Sequence, residues 1–249
     1  MSRKSKRNRP PQAQPAPAAA ASTLAAPAPP GGNMGKIAGI VIAATTLLIV
    51  IALGFKMISG KPDAAPKVDA ARVLALESAQ APTLGPADAR VHIVEFMDPA
   101  CETCAVFYPH VKKIMAENPG KIRLSVRHVA FHKNADAAVQ LLEASRAQGK
   151  YFETLEVMLA NQDRWVENHR VAPDRIPAAV ASVGLDMERL RRDMAATEVV
   201  QRIQGDLADA KKLQVTKTPE YFVNGRQMNE FGLEELRTLI ANELRRAYP

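Results

Sequence analysis

The chain of 249 residues contains only two cysteines, Cys101 and Cys104, and just two residues separate them. So few cysteines exclude a scaffold that is held together by several disulfides. A structural zinc site would usually need a second Cys pair or a matching His pair, and none of the five histidines has a ligand-like spacing to this pair. We therefore expect no metal site and no cofactor.

Acidic residues are absent from residues 1–36, where six Lys or Arg side chains stand in a segment rich in Pro and Ala. A segment with almost no large apolar side chain cannot bury enough surface to fold, so we expect a disordered basic tail. Without this tail the chain has 27 basic and 26 acidic residues. The tail has no aromatic residues among its basic ones, which argues against a nucleic-acid partner.

Charge is also missing from residues 37–55, a run of nineteen residues between Lys36 and Lys56. As a helix this run extends roughly 28 Å, close to the thickness of the hydrocarbon core, so we predict one transmembrane helix. The alternative is a cleaved signal peptide, but the run and the preceding tail are long for one, and no clear cleavage site follows directly. The basic tail favours a cytoplasmic N-terminus, although basic residues just after the span outnumber Lys36 before it.

After the predicted span, four prolines between residues 59 and 88 indicate a linker at 56–88, with a short helix near 70–77. The folded domain is expected at 89–249. Its first strand, Val91–Met97, is apolar on both faces, as in a strand that is covered on both sides. Hydrophobic spacing and turn residues then predict a helix at 105–118, a parallel strand at 122–126, an all-helical insertion at 134–213, a hairpin of strands at 220–223 and 226–228, and a closing helix at 233–246.

The Cys pair lies where the first strand ends and a helix begins. Unpaired backbone N–H groups at a helix N-terminus favour a thiolate over a thiol, so the first cysteine, Cys101, is expected to be a nucleophile. Cys104 is one turn deeper on the same helix face, from which its sulfur can attack a mixed disulfide at Cys101. The alternatives are an inert bridge or a metal ligand pair, which this arrangement of strand, Cys-x-x-Cys and helix makes less favoured.

Three separated motifs resemble the thioredoxin superfamily, and in particular its DsbA-like branch. Residues 84–96 look like the first core strand of that family and its approach, residues 149–165 are similar to its helical insertion, and residues 217–225 resemble the segment with its cis-proline. The resemblance covers about residues 82–246, with the motifs in the family's order. It implies a thioredoxin-like α/β fold with an all-helical insertion, here preceded by one N-terminal transmembrane helix.

The resemblance also implies roles for further residues. Thr218 and Pro219 match the pair that faces the cysteines and binds an extended substrate, and a cis bond before Pro219 is expected, since proline tolerates it best. Glu95 stands where the family has a buried acid beneath the second cysteine, and burial would raise its pKa and suit it to accept a proton from Cys104. A glutamate at a strand edge that reaches water is the alternative.

The dipeptide between the cysteines departs from the Pro-His of the strongly oxidising members, because it is Glu102 and Thr103. A carboxylate beside Cys101 opposes thiolate formation. We therefore expect a weaker oxidant, with a potential roughly between −120 and −270 mV, the extremes of the superfamily. The residue before Pro219 is as typical of isomerases and reductases as of oxidases, so the direction of electron flow stays open.

Together these features predict a thiol-disulfide oxidoreductase, anchored in a bacterial inner membrane, with its catalytic domain in the periplasm or outside the cell. Its partners would be protein substrates that contain thiols or disulfides, and the resemblance implies a membrane partner that resets its redox state. Two alternatives remain. One is a client-specific reductase or isomerase, and the other is a non-catalytic module that binds metal through the Cys pair.

Overall fold

The computed structural model of the chain describes residues 70–249. The predicted tail at 1–36, the predicted transmembrane helix at 37–55 and residues 56–69 of the predicted linker lie outside the described residues. Within the described residues, no helix is both long enough and apolar enough to cross a membrane.

A mixed five-stranded sheet forms the centre of the domain, with the strand order β1-β3-β2-β6-β7. The central strands β2 and β3 are parallel, with Val91 opposite Ile122 and Met97 opposite His128, and every other pair is antiparallel. The predicted first strand is confirmed, and the second one extends two residues beyond its predicted end. The strands are β1 (Thr83–Leu84), β2 (Val91–Met97), β3 (Ile122–His128), β6 (Glu220–Val223) and β7 (Arg226–Gln227).

Nine α-helices belong to the described part of the chain, and three single 3₁₀ turns at Arg146–Gln148, Pro173–Arg175 and Ala181–Val183 connect some of them. The helices are α1 (Ala70–Leu76), α2 (Glu102–Glu117), α3 (Ala135–Ser145), α4 (Tyr151–Ala160), α5 (Gln162–Trp165), α6 (Ile176–Ala179), α7 (Met187–Met194), α8 (Thr197–Lys212) and α9 (Leu233–Ala247). Helices α3 to α8 form most of the insertion between β3 and β6.

The insertion at 134–213 is not all-helical, which corrects the prediction. It contains a small hairpin of β4 (Val166–Glu167) and β5 (Arg170–Val171). Asn168 and His169 make its two-residue turn, and both have positive φ angles, 49° and 58°. Such short strands have too few residues to show an alternating pattern, and the turn lacks the glycine that usually marks a hairpin of this kind.

The linker predicted at 56–88 is wrong for residues 70–88, because two elements of the domain lie there. Strand β1 pairs with β3, and the Thr83 and Ser125 hydroxyls are 2.8 Å apart. In α1, Leu76 is 3% exposed and packs in the core. The short helix predicted near 70–77 is present as α1. Strand β1 was not predicted, since a two-residue edge strand carries little periodicity of its own.

The two faces of β2 contribute to two hydrophobic clusters. Val91, Ile93 and Met97 belong to the larger cluster, which includes the buried face of α2, residues of α9 and most of the insertion. Val94 and Phe96 belong to a smaller cluster, which includes residues of α1 and the end of α8. A strand that is buried on both faces reads as a near-continuous apolar run, which explains why the sequence predicted this strand well.

Candidate active site

Cys101 is the N-cap residue of α2, between a buried strand and a helix of 16 residues. Its backbone is extended (φ −77°, ψ 116°), and its sulfur lies 3.4 Å from the carbonyl oxygen of Thr218, which accepts a hydrogen bond from the thiol when Cys101 is protonated. The pKa of Cys101 is lowered to about 5. The hydrogen bond from the Cys104 thiol is the main cause of the lower pKa, and burial opposes it. Hydrogen bonds from the Thr218 side chain and from the backbone N–H groups of Thr103 and Cys104 lower the pKa further.

Cys104 lies in the first turn of the same helix, and none of its surface is exposed. Burial raises its pKa well above that of an ordinary thiol, and the hydrogen bond to Cys101 and the charge of Glu95 raise it further. Both cysteines are free thiols in this structure. The two sulfurs are therefore chemically unequal, with the thiolate on Cys101 and the proton on Cys104.

Glu95 is fully buried in β2, directly opposite Tyr221 of β6. Among the described residues, no group hydrogen-bonds its carboxyl oxygens or the Tyr221 hydroxyl. Burial raises the pKa of Glu95 to about 8; the nearby Tyr221 hydroxyl partly offsets this, and the charge of Cys101 adds to it. With this pKa the Glu95 carboxyl is mostly protonated at pH 7. When it ionises, its negative charge raises the pKa of Cys104.

Thr218 and Pro219 precede β6, and the peptide bond between them is cis, as the sequence predicted. Pro219 is buried, whereas Thr218 is half-buried and has its carbonyl oxygen at the Cys101 sulfur. The structure thus brings together all five residues singled out from the sequence: Cys101, Cys104, Glu95, Thr218 and Pro219.

Two buried polar side chains hold the turn before Cys101, and the sequence did not identify either. Asp98 is fully buried and accepts hydrogen bonds from the backbone N–H groups of Ala100 (2.9 Å) and Phe131 (2.7 Å). Gln162, the first residue of α5, donates from its amide nitrogen to the carbonyl oxygens of Pro99 (2.7 Å) and Cys101 (3.0 Å). An Asp in a turn is a weak signal because it commonly bonds its own backbone, and Gln162 is 61 residues from its partner.

Glu102, the first residue of α2, makes a side-chain contact that the sequence also did not indicate. Its carboxylate lies 3.1 Å from Nδ1 of His169, in the turn between β4 and β5, and both side chains are largely exposed. The His169 ring stacks at 6.3 Å on that of His132, which follows β3. The carboxylate beside Cys101 therefore has a partner of its own, supplied by the insertion.

An exposed aromatic side chain, Phe231, lies beside the segment with the cis bond. Its ring stacks on Phe107 of α2 at 5.0 Å, and the Lys217 ammonium is 5.5 Å from the ring centre. Phe231 is 47% exposed. Phe231 therefore lies at the surface between α2 and the segment that precedes the cis bond.

Comparison with known proteins follows the same motifs. The thioredoxin family model matches residues 77–242, two thirds of the chain. The chain is a member of the thioredoxin family. The match spans the Cys pair and the segment with the cis-proline, and it extends back beyond the predicted domain start at residue 89.

Two curated relatives of this thioredoxin-family protein are bacterial. A stretch of 157 residues is 30% identical to the Na(+)/H(+) antiporter NhaA of Herminiimonas arsenicoxydans, covering 63% of this chain and 24% of the antiporter. The chain thus spans about a quarter of that relative, and its transport activity is not carried over. The probable disulfide bond formation protein D of Bacillus anthracis is 25% identical over 222 residues, which cover 84% of this chain and 95% of that protein.

Among solved structures, the thioredoxin-like oxidoreductase of Silicibacter pomeroyi DSS-3 superimposes with a TM-score of 0.61 at 27% identity. The superposition covers 70% of this chain and 97% of that one. The structure of Wolbachia pipientis alpha-DsbA1 superimposes with a TM-score of 0.61 at 19% identity, covering 71% of this chain and 96% of that one. These likenesses confirm the predicted DsbA-like thioredoxin fold. The names of two of these proteins, a probable disulfide bond formation protein and a thioredoxin-like oxidoreductase, agree with the predicted enzyme class, a thiol-disulfide oxidoreductase.

Proposed function

We propose that this thioredoxin-family protein exchanges disulfides with protein substrates outside the cytoplasm, while residues 37–55 anchor it in a bacterial inner membrane. The observation that carries the proposal is the unequal pair of thiols. Cys101, with its lowered pKa, lies at the start of α2 against Thr218, whereas Cys104 is buried close to Glu95. A reactive thiolate above a buried resolving thiol is what disulfide exchange requires.

In the oxidising direction, a substrate thiolate attacks the Cys101 sulfur of a Cys101–Cys104 disulfide and forms a mixed disulfide with Cys101. Cys104 leaves as a thiolate and takes the proton of Glu95, which is protonated below about pH 8. A second substrate thiol then loses its proton and attacks the substrate sulfur, and Cys101 leaves as a thiolate. Two substrate thiols become one disulfide, and two electrons reduce the Cys pair.

Reduction of a substrate disulfide uses the same steps in reverse. The Cys101 thiolate attacks the substrate disulfide, and Cys104 gives its proton to Glu95 and attacks Cys101 to release the substrate. The preferred direction depends on how far the fold stabilises the reduced pair. The pKa of Cys101, about 5, lies between the values of about 7 for thioredoxin and about 3.5 for DsbA, which supports a potential roughly between −120 and −270 mV.

The substrate surface would be the edge next to the segment with the cis bond. Thr218 is half-buried and precedes β6, so its backbone is placed to pair with an extended peptide whose sulfur reaches Cys101. Phe231 would contact an apolar side chain of that peptide. We propose unfolded or extended protein segments as substrates, and a membrane redox protein as the partner that resets the pair.

The redox potential of the full chain tests the proposal most directly. The detergent-solubilised protein is equilibrated in glutathione buffers of known potential, and thiol alkylation measures the reduced fraction. We expect a midpoint between the two superfamily extremes. A midpoint at thioredoxin's value would make the protein an electron donor that reduces or reshuffles disulfides, and a Cys pair that never cycles would contradict the proposal and favour the metal-binding alternative.

Two cysteine variants test the order of attack. Cys104→Ser should accumulate mixed disulfides between Cys101 and substrate, because no resolving thiol is present, whereas Cys101→Ser should trap none. Non-reducing electrophoresis with mass spectrometry identifies the trapped bond. Mixed disulfides on Cys104 in the Cys101→Ser variant, at the rate seen in Cys104→Ser, would contradict the assignment.

Location is tested separately in intact bacterial cells that produce the full chain. A maleimide that cannot cross the inner membrane should label Cys101 once the outer membrane is permeable, and the protein should stay in the membrane fraction after alkaline extraction. Labelling that requires lysis of the inner membrane would place the domain in the cytoplasm and contradict this part of the proposal.

A further inference from the structure

Three side chains with metal-ligating atoms meet beside the Cys pair, each from a different part of the chain. Glu102 is the first residue of α2, His132 lies in the loop after β3, and His169 lies in the turn between β4 and β5. One ligand atom from each lies within 4.8 Å of the other two. The residues are about thirty or more positions apart, so no spacing rule for metal motifs could have indicated them.

His132 has the support that metal-binding histidines have in proteins. Its Nδ1 is 2.8 Å from a carboxylate oxygen of Asp98, which is fully buried. The same oxygen accepts the backbone N–H groups of Phe131 (2.7 Å) and His132 (2.8 Å). A carboxylate that accepts the Nδ1 proton fixes the ring orientation and leaves the lone pair on Nε2, the nitrogen that can then bind a metal.

His169 contacts both other members of the cluster. Its imidazole contacts the Glu102 carboxylate at 3.1 Å and stacks on the His132 ring. The residue has a φ angle of 58° in a two-residue turn, a conformation that glycine adopts more readily. The exposed contact between His169 and Glu102 contributes little to stability by itself. It therefore does not explain why an imidazole occupies this turn position.

We propose that Glu102, His132 and His169 form a binding site for a divalent transition-metal ion of the Zn²⁺ class. Two imidazoles and one carboxylate are a donor set that Zn²⁺ takes in proteins, with water in the fourth position. Metal–ligand distances are about 2.0–2.2 Å, so the three atoms must move closer together than 4.8 Å, and Glu102 and His169 are exposed enough to do so.

This site does not use the thiols, which distinguishes it from a metal held by the Cys pair. A bound ion would join the hairpin of the insertion to the first residue of α2. It would also neutralise the Glu102 carboxylate next to Cys101. Glu102 is part of the dipeptide between the cysteines, which differs from that of the strongly oxidising members of the family. The metal site therefore shares no residue with the disulfide-exchange site, although the two sites are adjacent.

The test uses the untagged full chain in its oxidised form, since the Cys101–Cys104 disulfide cannot supply a thiolate ligand. Co²⁺ is titrated with visible absorption as the readout, and Zn²⁺ is then used to displace it, with calorimetry for the affinity. We expect one equivalent to bind, with bands of nitrogen and oxygen coordination and no sulfur-to-metal charge transfer. His132→Ala and His169→Ala should each weaken binding at least tenfold.

His110→Ala is the matched control, because His110 is exposed on α2 and outside the cluster, and it should bind as the unchanged chain does. Circular dichroism and the redox potential show whether each variant is folded, and His169, 75% exposed, can be replaced with little effect on folding. Binding that survives both His variants, binding confined to the reduced chain with sulfur charge-transfer bands, or no saturable binding would each overturn the proposal. None of these outcomes affects the disulfide-exchange test, which needs no metal.

Discussion

Glu95 and Arg127 lie in neighbouring strands of one sheet, and both are almost completely buried, with 0% and 1% of their surface exposed. Glu95 faces the larger cluster with the Cys pair, and no protein group hydrogen-bonds its carboxyl oxygens. Arg127 faces the smaller cluster, where its guanidinium donates to Asp206, Asp209 and the carbonyl oxygen of Ala75. The same sheet therefore holds one unpaired and one fully paired ionisable side chain.

Glu95 can change its charge near neutral pH, whereas Arg127 cannot. Burial without a partner raises the pKa of Glu95 to about 8, so it can gain or lose a proton near neutral pH. Two carboxylates hold the positive charge of Arg127, which joins β3 to α8 and α1. An unpaired buried acid next to a thiol indicates chemistry, whereas a paired buried cation indicates a structural contact.

The largest expected effect is on stability, from Arg127→Leu. Removal of the guanidinium leaves the carboxylates of Asp206 and Asp209 without their partner, so we expect a loss of about 3–5 kcal/mol in the free energy of unfolding. Urea denaturation of the oxidised chain measures it. Arg175→Leu, which removes an exposed pair with Glu167, should cost less than about 1 kcal/mol. Equal losses of unfolding free energy in the two variants would show that the buried Arg127 network contributes no more to stability than an exposed pair.

Glu95→Gln should slow release of substrate from the mixed disulfide about 10²-fold, since an amide cannot accept the Cys104 proton. Because only the ionised carboxyl accepts a proton, this step should speed up in the unchanged chain as the pH rises through about 8, and the variant should lack that rise. Stopped-flow release of a labelled peptide from Cys101 gives the rate. Glu220→Gln is the control, because the Glu220 carboxylate already accepts a hydrogen bond from Gln227 at 3.0 Å; an equal loss in that variant would remove the special role of Glu95.

The same Glu95→Gln change should stabilise the oxidised protein by about 1–3 kcal/mol near pH 8. In the folded chain the carboxyl keeps its proton up to about pH 8, whereas in the unfolded chain it loses the proton near 4.5. Between these values the folded chain binds more protons, so the stability of the unchanged chain falls as the pH rises. The gain should disappear below about pH 4.5. Urea titrations at both ends of this range measure it, and a gain independent of pH would argue against a raised pKa.

The smallest expected effect concerns an exposed charge near the thiols. Glu102→Gln should change the pKa of Cys101 by less than about half a unit, because Cys104 and Thr218 dominate that pKa and His169 pairs with the Glu102 carboxylate. Ultraviolet absorbance of the thiolate as a function of pH gives the value. If the pKa of Cys101 fell by a full unit or more, the Glu102 carboxylate would be a main determinant of that pKa, as the sequence suggested. The exposed charge would then matter more than burial for the Cys101 pKa.

Local sequence patterns were sufficient for the central strands and for the Cys pair. The apolar run of Val91–Met97 is long enough to show burial on both faces, and Glu95 stands out within it because a charge there is costly. Pro219 could be placed because proline alone adopts a cis bond readily and its flanking residues match a known motif. These features depend on residues that are close together in the chain.

Prediction was weaker where elements are short. The hairpin of β4 and β5 interrupts an insertion predicted as all-helical, and β1 lies in the predicted linker beside α1, which the sequence did predict. Two-residue strands owe their existence to their partners, Ser125 for Thr83 and Lys133 for Arg170, rather than to a pattern of their own. Periodicity needs more residues than such elements contain.

The sequence by itself determined that a thiol, Cys101, would lie at the N-terminus of a helix behind a buried strand, because backbone geometry at a strand–helix junction is a local property. Only the tertiary structure decided how unequal the two thiols are, since the pKa of Cys101 depends on Thr218 and that of Cys104 on Glu95. It also decided that Gln162 holds the Cys101 carbonyl and that Glu102, His132 and His169 meet. Burial and charge–charge contacts arise between residues far apart in the chain, and a single sequence does not show which of them will meet.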